Sequence, residues 1–449
     1  MRMIRAILKA GLAVSALALT PGAPAQAQRL LGGLGADVSA LTRPVVNDLH
    51  DDVSGLHTGV NALTDDLGAD LAGARQLAEA QTQRLSDLVQ AHPQALELDH
   101  RGAPVIKGQV IAIAPTPEAL AAAQAAGFTL GERASLDGLG LEVVTLNAPP
   151  GLTADRALKA MRKLDPHGAY DVDPVYLPSG ETEPAGGQAT APSAPAATAA
   201  ATRVGLIDTG VAASHPAIEG LIIDQRGFAP GGVRPAAHGT AVASLIAGRD
   251  GRFQGAAPGA KLYVADVYGQ GPTGGSVLAI VQALAWMGRE HVPVINMSLV
   301  GPDNAALEQA VRILSARGTL IVAPVGNDGP AAPAPYPASY PQVIAVTAVD
   351  GHGRLLIEDG RAKHLDFAAP GAGLVAAQPA GGFGPVRGTS FAAPIVSGDL
   401  ALRLARQDPA EARRAVAELG HAAERRGDPQ FGRGLVGAGL ARSLADLSR

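Results

Sequence analysis

The chain has 449 residues, of which 47% are hydrophobic and 17% charged, and its formal net charge is -5. This length allows two or three domains, one of them large enough to bury a substantial core. The mild acidity and the lack of a long basic run give no support for a nucleic-acid partner. Because the chain contains no cysteine, disulfides and thiolate metal sites are excluded.

The first 27 residues have the pattern of a secretory signal peptide. Three basic residues precede a short apolar run at residues 10–19, and the following PGAPAQAQ contains a small-x-small cleavage site that ends near Ala27. The apolar run is too short to span a bilayer comfortably. We therefore expect export across the inner membrane, to the periplasm or the cell exterior, with no membrane span after the signal is removed.

Residues 28–100 are predicted to be largely helical. Seven apolar residues from Val46 to Leu67 alternate in steps of three and four, which is the spacing of a coiled-coil seam, and Asp70 falls on the next seam position. Two interpretations stay open for this segment. It is either an amphipathic helix that lies on a neighbouring domain, or a coiled coil through which the chain self-associates or binds a partner.

Residues 103–179 alternate between β-rich and helical stretches, in the order strand, helix, strand, helix, strand. This order predicts a small α+β domain with no obvious site of its own. Residues 180–202 are rich in Ala, Pro, Thr and Ser and show no hydrophobic period. Such a composition is typical of a disordered linker that is open to proteolytic cutting.

From residue 203 to residue 445, short and continuously apolar strands alternate with helices. Strands of this kind are buried on both faces, so the pattern predicts an α/β domain with a parallel sheet and helices on both faces. Functional residues of such sheets gather at the carboxyl ends of the strands. Polar residues at strand ends and helix starts are therefore the candidates for a site.

Four polar residues occupy such positions. Asp208 ends the strand RVGLID, His238 begins the apolar helix of HGTAVASLIAG, and Asn327 follows the strand TLIVAPVG. Ser390 begins the helix of GTSFAAPIVSG, and Pro394 is expected in the first turns of that helix, where a missing N–H costs least. Each candidate has an ordinary interpretation as a turn residue, a surface histidine or a helix cap. Together they supply a nucleophile, a base, an orienting acid and an amide donor.

The order Asp, His, Asn, Ser with these flanking residues resembles the subtilisin-like serine proteases. The resemblance covers residue 203 to the C-terminus and rests on five motifs: VGLIDTGV, HGTAVASLIAG, NMSLVGP, VAPVGNDGP and GTSFAAPIVSG. It implies that Ser390 attacks the peptide carbonyl, that His238 transfers the proton, and that Asp208 orients the imidazole. It also implies that Asn327 and the backbone N–H of Ser390 bind the tetrahedral oxyanion.

The resemblance further implies two substrate-binding segments. The first would line the cleft as an edge strand that pairs with an extended peptide, and it consists of Ser298, Leu299, Val300 and Gly301. The second would border the specificity pocket, and it consists of Ala323, Pro324, Val325 and Gly326. Val300 stands where the family usually has glycine, which would narrow the pocket or the adjoining subsite. Because Ala217 replaces the usual aspartate of the family's calcium site and the loop that would carry the other ligands is shortened, no strong calcium site is expected. No metal ion or cofactor is expected for catalysis.

The α+β domain at residues 103–179 resembles the propeptides of these proteases, which assist folding and cap the active site until they are cleaved. The resemblance implies a secreted serine endopeptidase made as a precursor, which cuts itself between about Leu177 and Arg203. Its propeptide would be an intramolecular inhibitor, and its substrate a protein or peptide. Three other functions stay open: acyl transfer or peptide cyclisation by the same triad, a catalytically silent binding protein, and a coiled-coil scaffold.

Overall fold

The computed structural model describes residues 73–182 and 202–440, and their contacts group them into one unit that begins at Gly73. The predicted signal peptide, the heptad pattern and most of the predicted linker lie outside the described residues. Among the helices of the described ranges, none is long and apolar enough to cross a membrane.

A helix and a small antiparallel sheet make up the first part of the described chain. Its elements are α1 (residues 73–91), β1 (Leu96–Leu98), β2 (Pro104–Ile113), α2 (Pro117–Ala125), β3 (Thr129–Leu136), β4 (Leu141–Asn147), α3 (Ala154–Leu164), β5 (Ala169–Pro174), β6 (Leu177–Pro178) and β7 (Glu181–Thr182). β2 pairs antiparallel with β1, β4 and β5, and β3 pairs with β4. Leu120 of α2 and Met161 of α3 share one core with Val110 and Val144 of the sheet.

β1 lies within the segment 28–100 that the sequence predicts to be helical. Leu96 is buried and pairs with Ile106 of β2. Three residues are too few for hydrophobic periodicity to distinguish a strand from the end of a helix. The small sheet therefore starts at Leu96 rather than at the predicted boundary of residue 103.

The second part is built on a parallel sheet. Its strands are β8 (Arg203–Asp208), β9 (Ile222–Gly227), β10 (Arg249–Asp250), β11 (Phe253–Gln254), β12 (Lys261–Asp266), β13 (Val294–Met297), β14 (Leu299–Val300), β15 (Leu320–Pro324), β16 (Val343–Val349), β17 (Phe367–Pro370), β18 (Leu374–Ala377) and β19 (Phe383–Arg387). Its helices are α4 (Ala237–Ala247), α5 (Val277–Arg289), α6 (Ala305–Ala316), α7 (Thr389–Ala401) and α8 (Pro409–Ala422), followed by 3-10 turns at Pro429–Phe431 and Ala438–Leu440. Seven strands form the main sheet, in the order β17-β16-β15-β13-β8-β12-β9.

Helices cover both faces of the seven-stranded sheet. α4 and α7 share one core with Leu206 and Val264, whereas α5 and α6 share another core with Ile207 and Ala265. Successive residues of a strand point to opposite faces, so continuously apolar strands fill both cores at once. The prediction of an α/β fold with a parallel sheet and helices on both faces is confirmed.

The small antiparallel sheet packs its second face against α5 and α6. Ile111 and Leu136 of the small sheet belong to the same buried cluster as Val281 and Leu284 of α5. This apolar contact joins the first part of the described chain to the second part.

Two aspartates of β5 strengthen that contact by capping helices of the second part. Asp173 accepts hydrogen bonds from the N–H groups of Val277 at 2.8 Å and Leu278 at 3.4 Å, and Asp171 accepts one from Ala305 at 2.9 Å. Burial raises the pKa of Asp173 to about 7, while the two N–H groups lower it. The two carboxyl groups thus satisfy N–H groups that have no partner within α5 and α6.

Candidate active site

Asp208 and His238 meet at the carboxyl end of β8. Both side chains are buried. The Nδ1 atom of His238 lies 2.8 Å from Oδ1 and 3.0 Å from Oδ2 of Asp208, and the N–H of Thr209 donates to Oδ1 at 2.6 Å. Because an ionised carboxylate only accepts hydrogen bonds, the neutral ring carries its proton on Nδ1. The Nε2 atom has no partner among the described residues and is left as the basic nitrogen.

Ser390 is the second residue of α7 and is fully buried. Gly388, just before this helix, has a φ of 133°. A Cβ at Gly388 would stand 2.6 Å from Nδ2 of Asn327 and 2.8 Å from Cα of Gly180, so only glycine allows this approach. The helix start therefore presents the N–H of Ser390, which donates to the carbonyl oxygen of Ser179 at 3.1 Å.

Thr389 determines how the side-chain amide of Asn327 is turned. The Oδ1 atom of Asn327 accepts from the N–H of Thr389 at 2.9 Å and from its hydroxyl at 3.0 Å. A backbone N–H only donates, so the atom that faces it is the amide oxygen. The Nδ2 donor lies on the side of Gly388 and Gly180. This orientation suits a donor to a developing oxyanion.

A buried hydrogen-bond network holds the backbone of Ser390. The hydroxyl of Ser298 donates to the Ser390 carbonyl at 3.0 Å and accepts from Nδ2 of Asn296 at 2.8 Å. In a regular helix the N–H of residue 394 would bond this carbonyl, but Pro394 has none. Pro394 thus lies far enough inside α7 to remove a bond, contrary to the expectation that its missing N–H costs little. Ser298, the residue directly after β13, donates the hydrogen bond that the Ser390 carbonyl would otherwise receive from residue 394.

We expect a Ser298→Ala substitution to destabilise the protein and to lower its activity. The Ser390 carbonyl would lose its buried partner, which costs about 1–3 kcal/mol in the free energy of unfolding. Urea unfolding of full-length protein in a Ser390→Ala background, where self-digestion is absent, measures this loss. Adding Pro394→Ala supplies an N–H to the same carbonyl and should restore part of the stability. No recovery in that double variant would contradict the assigned role of Ser298.

Residues 176–182 run through the cleft like a bound extended peptide. β6 pairs antiparallel with β14 on one side of Ser390, and β7 pairs antiparallel with β19 on the other. Between them the carbonyl of Ser179 receives the N–H of Ser390. Gly180 has a φ of 145°, and a Cβ there would stand 2.7 Å from the ring of Phe391. The segment is therefore held by strand pairing before and after Ser179.

The side chain of Tyr176 fills a pocket of the second part. Tyr176 is fully buried, and its N–H donates to the carbonyl of Gly275 at 2.8 Å. Its ring lies against Gly301, where a Cβ would stand 2.6 Å from the ring. Its hydroxyl donates to the carbonyl of Pro302. The pocket thus accepts a whole tyrosine side chain and offers a hydrogen-bond acceptor at its end.

The first set of predicted cleft residues divides into three kinds. Leu299 and Val300 pair with β6. Gly301 instead exchanges backbone hydrogen bonds with Tyr336, at 2.9 and 3.0 Å, and leaves room for Tyr176. Ser298 turns its hydroxyl away from β6 and towards the backbone of Ser390.

The second set of predicted cleft residues lies at the end of β15. Ala323 and Pro324 pair with β16 inside the main sheet, and the N–H of Val325 donates to Val346 at 3.0 Å. A Cβ at Gly326 would stand 3.5 Å from Cγ1 of Val300, so the Val300 side chain reaches the backbone of Gly326. That these residues border a specificity pocket stays a prediction.

Sequence reasoning singled out none of Thr389, Ser179 and Tyr176, although the resemblance to the propeptides implies that DVDPVYLPSG, which contains the last two, is an extended tail near the cleft. Thr389 had a signal, since it stands directly before the candidate nucleophile in GTS. Ser179 and Tyr176 lie at the end of the β-rich stretch GAYDVDPVYLP and before the linker, and no local pattern distinguishes them. Across residues 73–182 and 202–440, no group of three or more His, Asp or Glu side chains is arranged to hold a metal ion.

Comparisons of the sequence link the second part to known proteases. The model of the subtilase family matches residues 199–439. Subtilisin DY of Bacillus licheniformis is 34% identical over 244 residues, which are 52% of this chain and 88% of that protein. The major intracellular serine protease of Bacillus subtilis (strain 168) is 36% identical over 214 residues, which are 44% of this chain and 67% of that protein.

A solved structure shares the fold over a longer stretch. Fervidolysin from Fervidobacterium pennivorans, described as a keratinolytic enzyme related to subtilisin, matches with a TM-score of 0.63 at 21% sequence identity. The match covers 77% of this chain and 62% of fervidolysin, so this chain spans less than two thirds of that protein. The matched fraction of this chain is larger than the fraction formed by residues 202–440, so the shared fold extends into the chain before residue 202.

Proposed function

Because the chain belongs to the subtilase family and is a serine endopeptidase, we propose that Asp208, His238 and Ser390 form its catalytic triad. The observation that carries the proposal is the hydrogen bond from the N–H of Ser390 to the Ser179 carbonyl. A peptide carbonyl is thereby held at the nucleophile, beside the Nδ2 donor of Asn327. The ring of Phe391, the residue after Ser390, lies 5.4 Å from the ring of His238, which bonds Asp208. These are the groups that acyl transfer to a serine requires.

In the proposed reaction, the hydroxyl of Ser390 turns from the Ser298 carbonyl, 3.5 Å away, towards Nε2 of His238. His238 takes the proton as the serine oxygen attacks the peptide carbonyl, and the N–H of Ser390 and Nδ2 of Asn327 bind the oxyanion. The C–N bond then breaks, His238 protonates the leaving amine, and an acyl-enzyme remains on Ser390. In the second half of the reaction, His238 takes a proton from a water molecule, which attacks the carbonyl of the acyl-enzyme. The bond to Ser390 then breaks, His238 returns the proton to the serine oxygen, and the carboxylic acid is released. Asp208 stabilises the imidazolium throughout.

Labelling with a serine-directed fluorophosphonate tests the triad. Purified, matured wild type should become labelled, whereas Ser390→Ala should not be labelled and His238→Ala only slowly, because its serine lacks a base. The absence of label on matured wild type would overturn the proposed triad.

We further propose that the precursor cuts its own bond between Ser179 and Gly180. This bond follows the carbonyl that the Ser390 N–H binds, and it lies within the stretch between Leu177 and Arg203 that the sequence predicts. Gly180 supports the assignment, since any larger residue would meet the Phe391 ring. The first part, up to Ser179, would then become a separate segment.

The separated segment would act as an inhibitor of the enzyme. The pairing of β6 with β14, the buried Tyr176 and the aspartate caps on α5 and α6 do not depend on the cut bond. The segment up to Ser179 therefore keeps its contacts with the cleft after cleavage. A product bound in this way blocks substrate until it dissociates or is degraded.

We expect the enzyme to prefer tyrosine at the fourth residue before the cut bond. That residue is Tyr176 in the precursor, whose hydroxyl donates to the Pro302 carbonyl. A phenylalanine would fill the same space and leave this carbonyl unpaired, which should lower kcat/KM by about tenfold. Matched peptides that contain YLPSG and FLPSG measure the ratio. Equal kcat/KM for both peptides would contradict a role for the hydroxyl.

We also propose export of the precursor, on the pattern of residues 1–27. One of the relatives is named an intracellular protease, so family membership by itself gives no compartment. A reporter fused to residues 1–27 should be exported, and the same reporter with the three basic residues neutralised should be exported poorly. Acyl transfer and a silent binding role are not favoured by the comparisons, and the residues predicted to self-associate before Gly73 lie outside the described ranges.

A further inference from the structure

α1 carries a stripe of residues that faces the loop next to the oxyanion donor. Leu77, Gln81 and Arg84 are four and three positions apart, so they lie on one face of the helix. The loop begins at Asp328, directly after Asn327. α1 is not a part of the motifs that link this chain to its family, and the proposed reaction gives it no role.

The carboxylate of Asp328 accepts hydrogen bonds from both polar side chains of the stripe. Nε2 of Gln81 donates to Oδ2 of Asp328 at 2.6 Å, and the guanidinium of Arg84 donates to Oδ1 at 2.7 Å. Each carboxylate oxygen thus has its own donor from the helix. The side chain of Asp328 is only 17% exposed. Burial raises its pKa, and the charge of Arg84 lowers it.

Apolar contact completes the docking beside this carboxylate. Ala74 is buried, and a Cβ at Gly329 would stand 3.1 and 3.2 Å from carbon atoms of Leu77 and 3.5 Å from the carbonyl oxygen of Ala74. Gly329 has a φ of 81°. The loop backbone therefore meets the helix closely, at a position where any side chain would be strained and crowded.

We propose that the Asp328–Gly329 loop is a docking surface for α1, and that this contact is a second anchor which holds the cleaved segment on the enzyme. The inference rests on the proposed cut between Ser179 and Gly180, which leaves α1 on the segment and Asp328 on the enzyme. The first anchor is the contact of the small sheet with α5 and α6. Because one chain carries both anchors, the second forms at a high effective concentration and slows dissociation.

For residues 73–91, the contacts favour an amphipathic helix on a neighbouring domain over a coiled coil that self-associates or binds a partner. These residues lie against a neighbouring domain, through one carboxylate and one glycine of the loop. The occupant of the loop is therefore a segment of the same chain rather than a second copy.

A full-length chain with Gln81→Ala and Arg84→Ala tests the anchor. After self-cleavage, activity on the YLPSG peptide is delayed until the cleaved segment dissociates. This lag should shorten by about tenfold in the variant, since one ion pair and one amide hydrogen bond are lost. The matched control is Arg75→Ala with Gln76→Ala, which removes the same residue types from exposed positions of α1 and should keep the wild-type lag. Intact mass follows the cleavage itself, which should proceed equally in all three proteins.

Two results would overturn the inference, and they are distinguishable. A normal cleavage followed by a wild-type lag in the Gln81→Ala/Arg84→Ala protein shows that α1 is not an anchor. A wild-type chain that is never cut between Ser179 and Gly180 removes the proposed function, and with it any separate segment to be held.

A double-mutant cycle ties the effect to Asp328. Asp328→Asn should shorten the lag, measured against the activity of its own mature form, and adding Arg84→Ala should shorten it little further, because both changes remove the same ion pair. Lag changes that multiply independently would contradict a direct pairing of Arg84 with Asp328.

Discussion

A Ser390→Ala protein should stay at full precursor length, with the bond between Ser179 and Gly180 uncut. The Ser179 carbonyl remains bound by the N–H of residue 390, which the substitution keeps, but no hydroxyl is left to attack it. Loss of a triad nucleophile lowers kcat by about 10⁶-fold, so the cut should be undetectable over days. Intact mass of the purified protein measures the outcome, and wild type should give a new N-terminus at Gly180.

A serine elsewhere in the same fold provides the control for this result. Ser315 lies near the C-terminal end of α6, and its hydroxyl has no partner among the described residues. Ser315→Ala should therefore mature as wild type does. A purified Ser390→Ala protein that matured alone to the wild-type size would argue against self-cleavage, and an N-terminus other than Gly180 in wild type would argue against the assigned bond.

Replacement of Asn327 by aspartate should lower kcat by about 10²–10³-fold, with little change in KM. Aspartate keeps an oxygen for the N–H and hydroxyl of Thr389, so the loop and the helix start are retained. It replaces the Nδ2 donor by a second acceptor, which cannot bind the oxyanion. Because the oxyanion exists only in the transition state and the tetrahedral intermediate, substrate binding is largely spared.

Kinetics of the matured variants on the YLPSG peptide check this prediction. Asn327→Leu removes the same donor without adding a charge, so a similar fall of kcat in both variants separates donor loss from charge repulsion. A kcat within tenfold of wild type in both variants would be incompatible with Asn327 as the oxyanion donor.

Much of the fold was predictable because its causes are local. A strand buried on both faces has to be apolar at successive positions, and the strands from residue 203 onward have this property, so the parallel sheet and its two helical layers follow. Asp208, His238, Asn327 and Ser390 were recognisable as candidates for a similar reason, since each stands where a strand ends or a helix begins.

The three-residue strand at Leu96 was not predictable, because its identity depends on a partner. Leu96–Leu98 has too few residues for a period, and β2 alone gives it a strand conformation. The consequence of Pro394 was also hidden. Its missing N–H is a property of the sequence, but the donor that replaces it, Ser298, lies 92 residues before Ser390, whose carbonyl it bonds.

The sequence by itself determined the class of sheet, the four candidate residues and the family resemblance, because periodicity and short motifs record the local environment of each residue. Only the tertiary structure decided that the Ser179 carbonyl meets the N–H of Ser390, that Tyr176 enters a closed pocket, and that α1 reaches Asp328. The pair Gln81 and Asp328 is 247 residues apart. Contacts of this kind arise when packed layers bring distant surfaces together, and the local sequence around either residue does not indicate its partner.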